Sequence, residues 1–229
     1  LYPNAKLTAD ILPKFGAGQY GTEVSALAGA GADVVYSSFW GGDLQAFILQ
    51  STPRGLARRS QLVFSAADHV LPPLGDKMPD GAIIGARGAY GLMSPQTPLN
   101  DWFFKGYEAA NGVYPVQAAY RMTQSLLGLK TAVEKAMARN GGKKPTTDEL
   151  VAAMTGSEWD SPGGLIRMTL ADGHQATQAI AIGRTKYNAE KKRVDIVDIQ
   201  NFKAECVNPP AGTKALDWLK AGMPGAKCD

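Results

Sequence analysis

The chain has 229 residues, 45% of them hydrophobic, with 24 basic and 21 acidic side chains. That is apolar material enough for one large domain or two modest lobes. The net charge of +3 comes from small clusters (Arg58-Arg59, Lys143-Lys144, Lys191-Lys192-Arg193) that read as solvated turns, which argues against a nucleic-acid groove, and no apolar run approaches a membrane span.

Periodicity and punctuation predict a strand over 5–12, a helix over 21–30, a strand over 32–37 and a helix over 43–51. The strand over 32–37 is rich in Val and Tyr and runs into Ser38-Phe39-Trp40-Gly41-Gly42, with Asp43 placed to cap the following helix. A third strand is expected over 61–65 and a fourth over 82–87, after a Pro-rich loop. This alternation implies parallel βαβ units, in which ligands bind beyond the carboxyl ends of the strands, where Phe39 and Trp40 lie. Helices follow over 98–111, 115–139 and 147–155, the second with Val116, Ala119, Tyr120, Leu126, Leu127, Val133 and Met137 on one side. A strand-turn meander is expected over 166–170, 178–186 and 193–200.

Catalytic constellations are poor. Gly16-Ala17-Gly18-Gln19-Tyr20-Gly21 satisfies the dinucleotide glycine pattern between a predicted strand and a helix. However, Pro13-Lys14 separates strand from glycines, whereas the dinucleotide turn is immediate, and Asp33 begins the next strand instead of ending it. Asp172 and His174 are two apart and would share a strand face, as a hinge or turn pair; His69 beside Asp68 reads as a polar loop residue. Neither histidine has metal-ligand spacing with a cysteine. No cofactor or metal is expected, and the chain does not read as an enzyme.

Cys206 and Cys228 frame a Pro/Gly-rich tail containing a short helix around 216–219. The even count and the loose tail predict a disulfide, which would stabilise the fold by about 3 kcal/mol in the chain-entropy model and point to an oxidising compartment. Two unrelated free thiols are the alternative.

The order of these blocks resembles the carboxyl-terminal portion of type I periplasmic solute-binding proteins of ABC importers, in the branched-chain amino acid and amide group. The resemblance is carried by the 32–56 block, by Pro79 to Tyr90, by Asn100 to Ala136 and by Ser161 to Arg184. It implies an α/β fold of two Rossmann-like lobes, the first only partly present: residues 1–86 as second-lobe βα units, 87–170 as a mostly helical part of the first lobe, and 171–229 returning to the second lobe with a hairpin and the tail. On this reading the chain is a carboxyl-terminal fragment of a larger protein.

The resemblance further implies a periplasmic, exported receptor, made with a signal peptide and expected as a monomer. It would close on a small solute in an interlobe cleft and deliver it to an inner-membrane permease. The lining expected in this chain is Ser38, Phe39, Trp40 and Gly41, then Ser65 to Asp68, with Tyr90 and Tyr114 as further contacts. Of the adjacent pair Phe39 and Trp40, only one side chain can face the ligand, and Trp40 is the expected one. The chain departs from the family where an acid after the third strand holds an amino acid's ammonium. That position falls at Ala66; Asp68 would substitute only if the loop shifts. The ligand is therefore open between an amino acid, an amide and an aromatic or other carboxylate. A cytoplasmic sensor with the same bilobal fold is the alternative.

Overall fold

A computed structural model describes residues 4–85 and 87–228. Residue 86, where the sequence reading places the change of lobe, lies outside the described residues, as does the opening Leu1-Tyr2-Pro3. The elements in chain order are α1 (Gly21–Gly29), β1 (Val34–Ser37), α2 (Gly41–Ser51), α3 (Leu56–Arg59), β2 (Gln61–Phe64), α4 (Leu71–Leu74), β3 (Ile83–Gly85), α5 (Pro98–Asn111), α6 (Gln117–Arg139), α7 (Thr147–Met154), β4 (Glu158–Ser161), β5 (Gly164–Leu170), β6 (Gln175–Thr177), β7 (Ile180–Asn188), β8 (Arg193–Phe202), α8 (Ala204–Val207) and α9 (Ala215–Lys220).

The chain forms two units, one from Tyr2–Arg87 with Ala181–Gln200 and one from Gly88–Ile180 with Asn201–Asp229. The first is built on a five-stranded sheet of order β1-β2-β3-β7-β8. β1, β2 and β3 run parallel, and β7 returns antiparallel against β3. Its core is apolar because alternate strand residues turn inward: Val35, Leu62, Phe64 and Ile84 are buried together with Leu44, Phe47 and Ile48 of α2. Gly85 is required at the β3–β7 seam. It has φ +122, and a Cβ there would collide with the Ala181 carbonyl oxygen.

The second unit joins α5, α6 and α7 to a three-stranded antiparallel sheet, β4-β5-β6. Thr97 caps α5 by accepting from the Asn100 amide. Thr146 and Glu149 form a reciprocal capping box on α7. The buried stripe of α6 is Tyr120, Gln124, Gly128, Ala132 and Ala136, a strict four-residue repeat of mostly small residues. Gly128 leaves room for the Trp159 ring, whose Nε1 donates to the Gln124 carbonyl at 3.0 Å.

Three expectations are corrected. Residues 5–12 form no strand. Leu126 and Leu127 are not on the buried stripe of α6; Leu126 is 59% exposed, because small residues and Gln124 take the seam. The expected meander is divided: β5 pairs with β4 and β6, while β7 joins the other sheet. The tail beyond Gln200 groups with the helical unit. Within that unit Arg167 of β5 donates to Glu205 of α8 at 2.9 Å, and Cys206 is bonded to Cys228. Among the described residues, no helix is long and apolar enough to cross a membrane.

Candidate functional site

Parallel pairing dictates where chemistry can gather in the sheet unit. With Ser37 in register with Phe64, the chain leaves β1 and β2 at the same end of the sheet. The two exit loops, 38–41 and 65–69, are thereby neighbours. The Ser65 amide still reaches the Ser37 carbonyl at 3.4 Å, and the Tyr36 hydroxyl lies 3.2 Å from Ser65 Oγ.

The β1 exit is shaped by its own residues. Ser37 Oγ accepts from the Phe39 amide at 3.1 Å, holding the loop in a tight turn. Phe39 then packs inward on Tyr20 and Phe47, with ring centroids 5.0 and 5.8 Å away. Trp40 points the other way and is 60% exposed. Gly41 opens α2 with φ +61, a left-handed conformation that favours glycine. The amides of the first helical turn, Gly42 and Asp43 among them, have no acceptor within the helix by its geometry.

His69 ties the two loops together. Its Nε2 accepts from the Gly41 amide at 2.6 Å, and its ring stands edge-on to Trp40, centroids 6.4 Å apart. An Nε2 that accepts carries no proton, so the neutral ring holds its proton on Nδ1, which lies 3.6 Å from Asp68 Oδ1. Sequence reading took His69 for a loop residue. Its position five residues beyond the end of β2, opposite the Gly-Gly turn, was the available signal. Ala66, where an acid was sought, is buried.

Asp43 does not cap α2. The residue preceding the helix is Trp40, and Asp43 sits inside the first turn. Its carboxylate accepts from the Tyr20 hydroxyl at 2.6 Å and from the Gly16 amide at 2.9 Å. These two bonds, the tyrosine's first, hold its pKa below the usual carboxylate value. Gln50 completes the attachment, accepting from the Tyr20 amide and donating to the Gly18 carbonyl. The glycine loop is thus fastened to α2 with a carboxylate at Gly16, the opposite of what a phosphate requires.

Tyr90 and Tyr114 belong to the other unit and are buried there. Tyr90 packs on Tyr120 and joins a polar cluster with Gln124 and Gln178. Tyr114 stacks on Phe104, the rings 7° from parallel. Asp172 and His174 form no pair on a strand face, because the chain turns there. Ala171 and Asp172 have positive φ, and His174 Nδ1 lies 3.1 Å from the Ala171 carbonyl oxygen. Among the described residues no group of acidic, histidine or cysteine side chains is arranged to hold a metal.

This architecture has relatives. A solute-binding protein of an ABC transporter from R. palustris, in complex with benzoate, superposes with a TM-score of 0.66 at 21% identity over 85% of this chain and 50% of its own. A second R. palustris protein, in complex with 4-hydroxybenzoate, gives 0.69 at 18% over 88% and 53%. The leucine-, isoleucine-, valine-, threonine- and alanine-binding protein from Brucella ovis, in a closed conformation, gives 0.67 at 17% over 88% and 51%. The chain therefore spans about half the length of these structures, and at such identities the likeness is one of fold. No curated protein sequence matches it. The family description "Periplasmic binding protein" matches residues 4–192, and the chain belongs to that family.

Proposed function

We propose that this chain is part of the extracytoplasmic receptor of an ABC importer, binding a small solute without transforming it and passing it to a membrane permease. On this reading the sheet unit is the receptor's second lobe and the helical unit contributes to its first. The observation that carries the proposal is the junction of the β1 and β2 exit loops, where Trp40 stands exposed beside His69 and next to the first turn of α2. An aromatic ring can cover an apolar ligand body, while helix-start amides favour a carboxylate. Ser38, Gly41, Ser65 and Asp68 complete the ligand surface, with Phe39 supporting it from the core side. The Cys206–Cys228 disulfide supports an oxidising compartment, hence the periplasm.

The proposed ligand class is a carboxylate on an aromatic or apolar body. Ala66 offers no charge for an α-ammonium, and an unpaired buried ammonium costs several kcal/mol. Benzoate and 4-hydroxybenzoate are the ligands of two of the similar structures. A thermal-shift panel of benzoate, 4-hydroxybenzoate, leucine and a small aliphatic amide tests this. A rise in melting temperature with the benzoates is expected; a rise confined to leucine or the amide would overturn the ligand class, and a flat panel would count against the receptor reading.

A further inference from the structure

The sheet unit has a second concave site, at the end of β2 opposite its exit loop. A pocket of about 320 Å³ opens where α3 leads into β2, with Arg58, Arg59, Gln61, Asp80 and Arg184 in its wall. That volume is at the small end of the range for a ligand pocket. Parallel pairing puts the starts of β2 and β3 side by side, and antiparallel β7 brings Arg184 into register with Ile83 of β3.

One side of this pocket is held in place. The Gln61 side-chain amide donates from Nε2 to the Gly81 carbonyl at 2.8 Å, and its Oε1 accepts from Arg184 Nη1 at 2.9 Å. Arg184 Nη1 also donates to the Gly81 carbonyl at 3.3 Å. These bonds engage a single nitrogen of a group that carries five N–H donors. Asp80, the one acid among the described residues of the wall, is already taken: it accepts from Lys186 Nζ and from the Tyr187 amide, each at 2.7 Å. The Arg58 and Arg59 guanidiniums, in contrast, make no hydrogen bond or ion pair among the described residues. The sequence reading took this pair for a solvated turn, yet it shares a hollow with a third arginine and no free acid. A concave wall of one sign of charge concentrates counter-ions, and the planar guanidinium fork matches the oxygens of an oxyanion.

We infer that this pocket binds a free, doubly charged oxyanion, phosphate or sulfate, with Arg58, Arg59 and Arg184 as its donors. Three guanidiniums against one acid that Lys186 already neutralises favour a dianion over a single carboxylate or the singly charged phosphodiester of a lipid headgroup. The inference goes beyond the receptor reading and does not depend on it, because no residue of this wall belongs to the β1 and β2 exit loops.

The test is a nitrogen-15 chemical-shift titration of the 229-residue chain with sodium phosphate, sodium sulfate and sodium chloride at matched ionic strength. It is run at about pH 8, where phosphate is mostly doubly charged. Phosphate and sulfate should give saturable shifts at Arg59, Gln61, Gly81 and Ala82, and chloride should not. Arg58→Gln with Arg59→Gln, which breaks no side-chain bond of the fold, should weaken phosphate binding by about tenfold or more. Lys191→Gln with Lys192→Gln, the same loss of charge outside the pocket, should leave the affinity unchanged. The inference is overturned if chloride reproduces the shifts, if they fail to saturate or centre outside the pocket, or if the lysine variant weakens binding as much as the arginine variant. It is equally overturned if mixed phosphatidylglycerol and phosphatidylcholine vesicles bind the chain through Arg58 and Arg59 while free phosphate does not.

Discussion

The amide of Gly41 donates to Nε2 of His69 at 2.6 Å, and this one bond joins the loop that leaves β1 to the loop that leaves β2. It fixes the imidazole tautomer and orients the ring that stands against Trp40. His69→Ala should therefore cost about 1 kcal/mol of stability by removing a hydrogen-bond acceptor. It should also shift Trp40 fluorescence. Urea unfolding and emission spectra check both, and an unchanged spectrum would separate Trp40 from His69.

Trp40 is the opposite case, exposed and outside the core. Trp40→Ala should leave the melting temperature within a degree or two and weaken benzoate binding by about tenfold, as loss of an aromatic contact does. Phe39→Ala, in contrast, should destabilise by about 3 kcal/mol or more because its ring packs on Tyr20 and Phe47. Calorimetric titration and thermal melts of the two variants distinguish a ligand contact from core packing.

Asp43 gives a pH signature. Its pKa is lowered in the folded state by the Tyr20 hydroxyl and the Gly16 amide. A lowered folded pKa contributes stability that is present above the unfolded carboxylate value, about 4, and is lost as pH falls through the folded one. Asp43→Asn should remove that part of the acid-side loss, so its stability should fall less steeply than the wild type's below about pH 4. Tyr20→Phe should move the Asp43 titration upward. Chemical-shift titration of the Asp43 carboxyl reads both.

Gly128 and Trp159 form a shape-matched pair inside the helical unit. A Cβ at position 128 would stand 2.6 Å from the nearest ring carbon. Gly128→Ala should therefore destabilise by about 1–3 kcal/mol, despite a helix-propensity gain of up to about 1 kcal/mol. Combining it with Trp159→Leu should recover part of the loss, a coupling that a double-mutant cycle measures.

The Cys206–Cys228 bridge spans 22 positions. Cys206→Ser with Cys228→Ser should lower stability by about 3 kcal/mol, and reductant should lower the wild-type melting temperature but not the variant's. Insensitivity of the wild type to reductant would remove the main support for an exported protein.

Much of the sheet unit was legible because its signals are local. Short apolar runs with small residues at their ends gave β1 and β2, and Pro98 and Gly112 bracket α5. What escaped depended on partners distant in sequence. Residues 5–12 carry a strand's alternation but have no neighbouring strand among the described residues. The face of α6 was misread because its seam is Gly128, Ala132 and Ala136, chosen for the close approach of other elements, while larger residues such as Leu126 point outward. Asp43 resembled an N-cap by position, yet Tyr20, 23 residues earlier, holds it. His69 was overlooked for the same reason, since only parallel pairing brings it to Gly41.

The decisive measurement is a nitrogen-15 chemical-shift titration of this chain with benzoate, followed residue by residue. Saturable shifts are expected at the Trp40 indole, Gly41, Gly42, Ser65 and His69. Shifts with none of benzoate, leucine or a small amide, or shifts with NAD centred on Gly16 to Gly21, would contradict a solute site at the ends of β1 and β2.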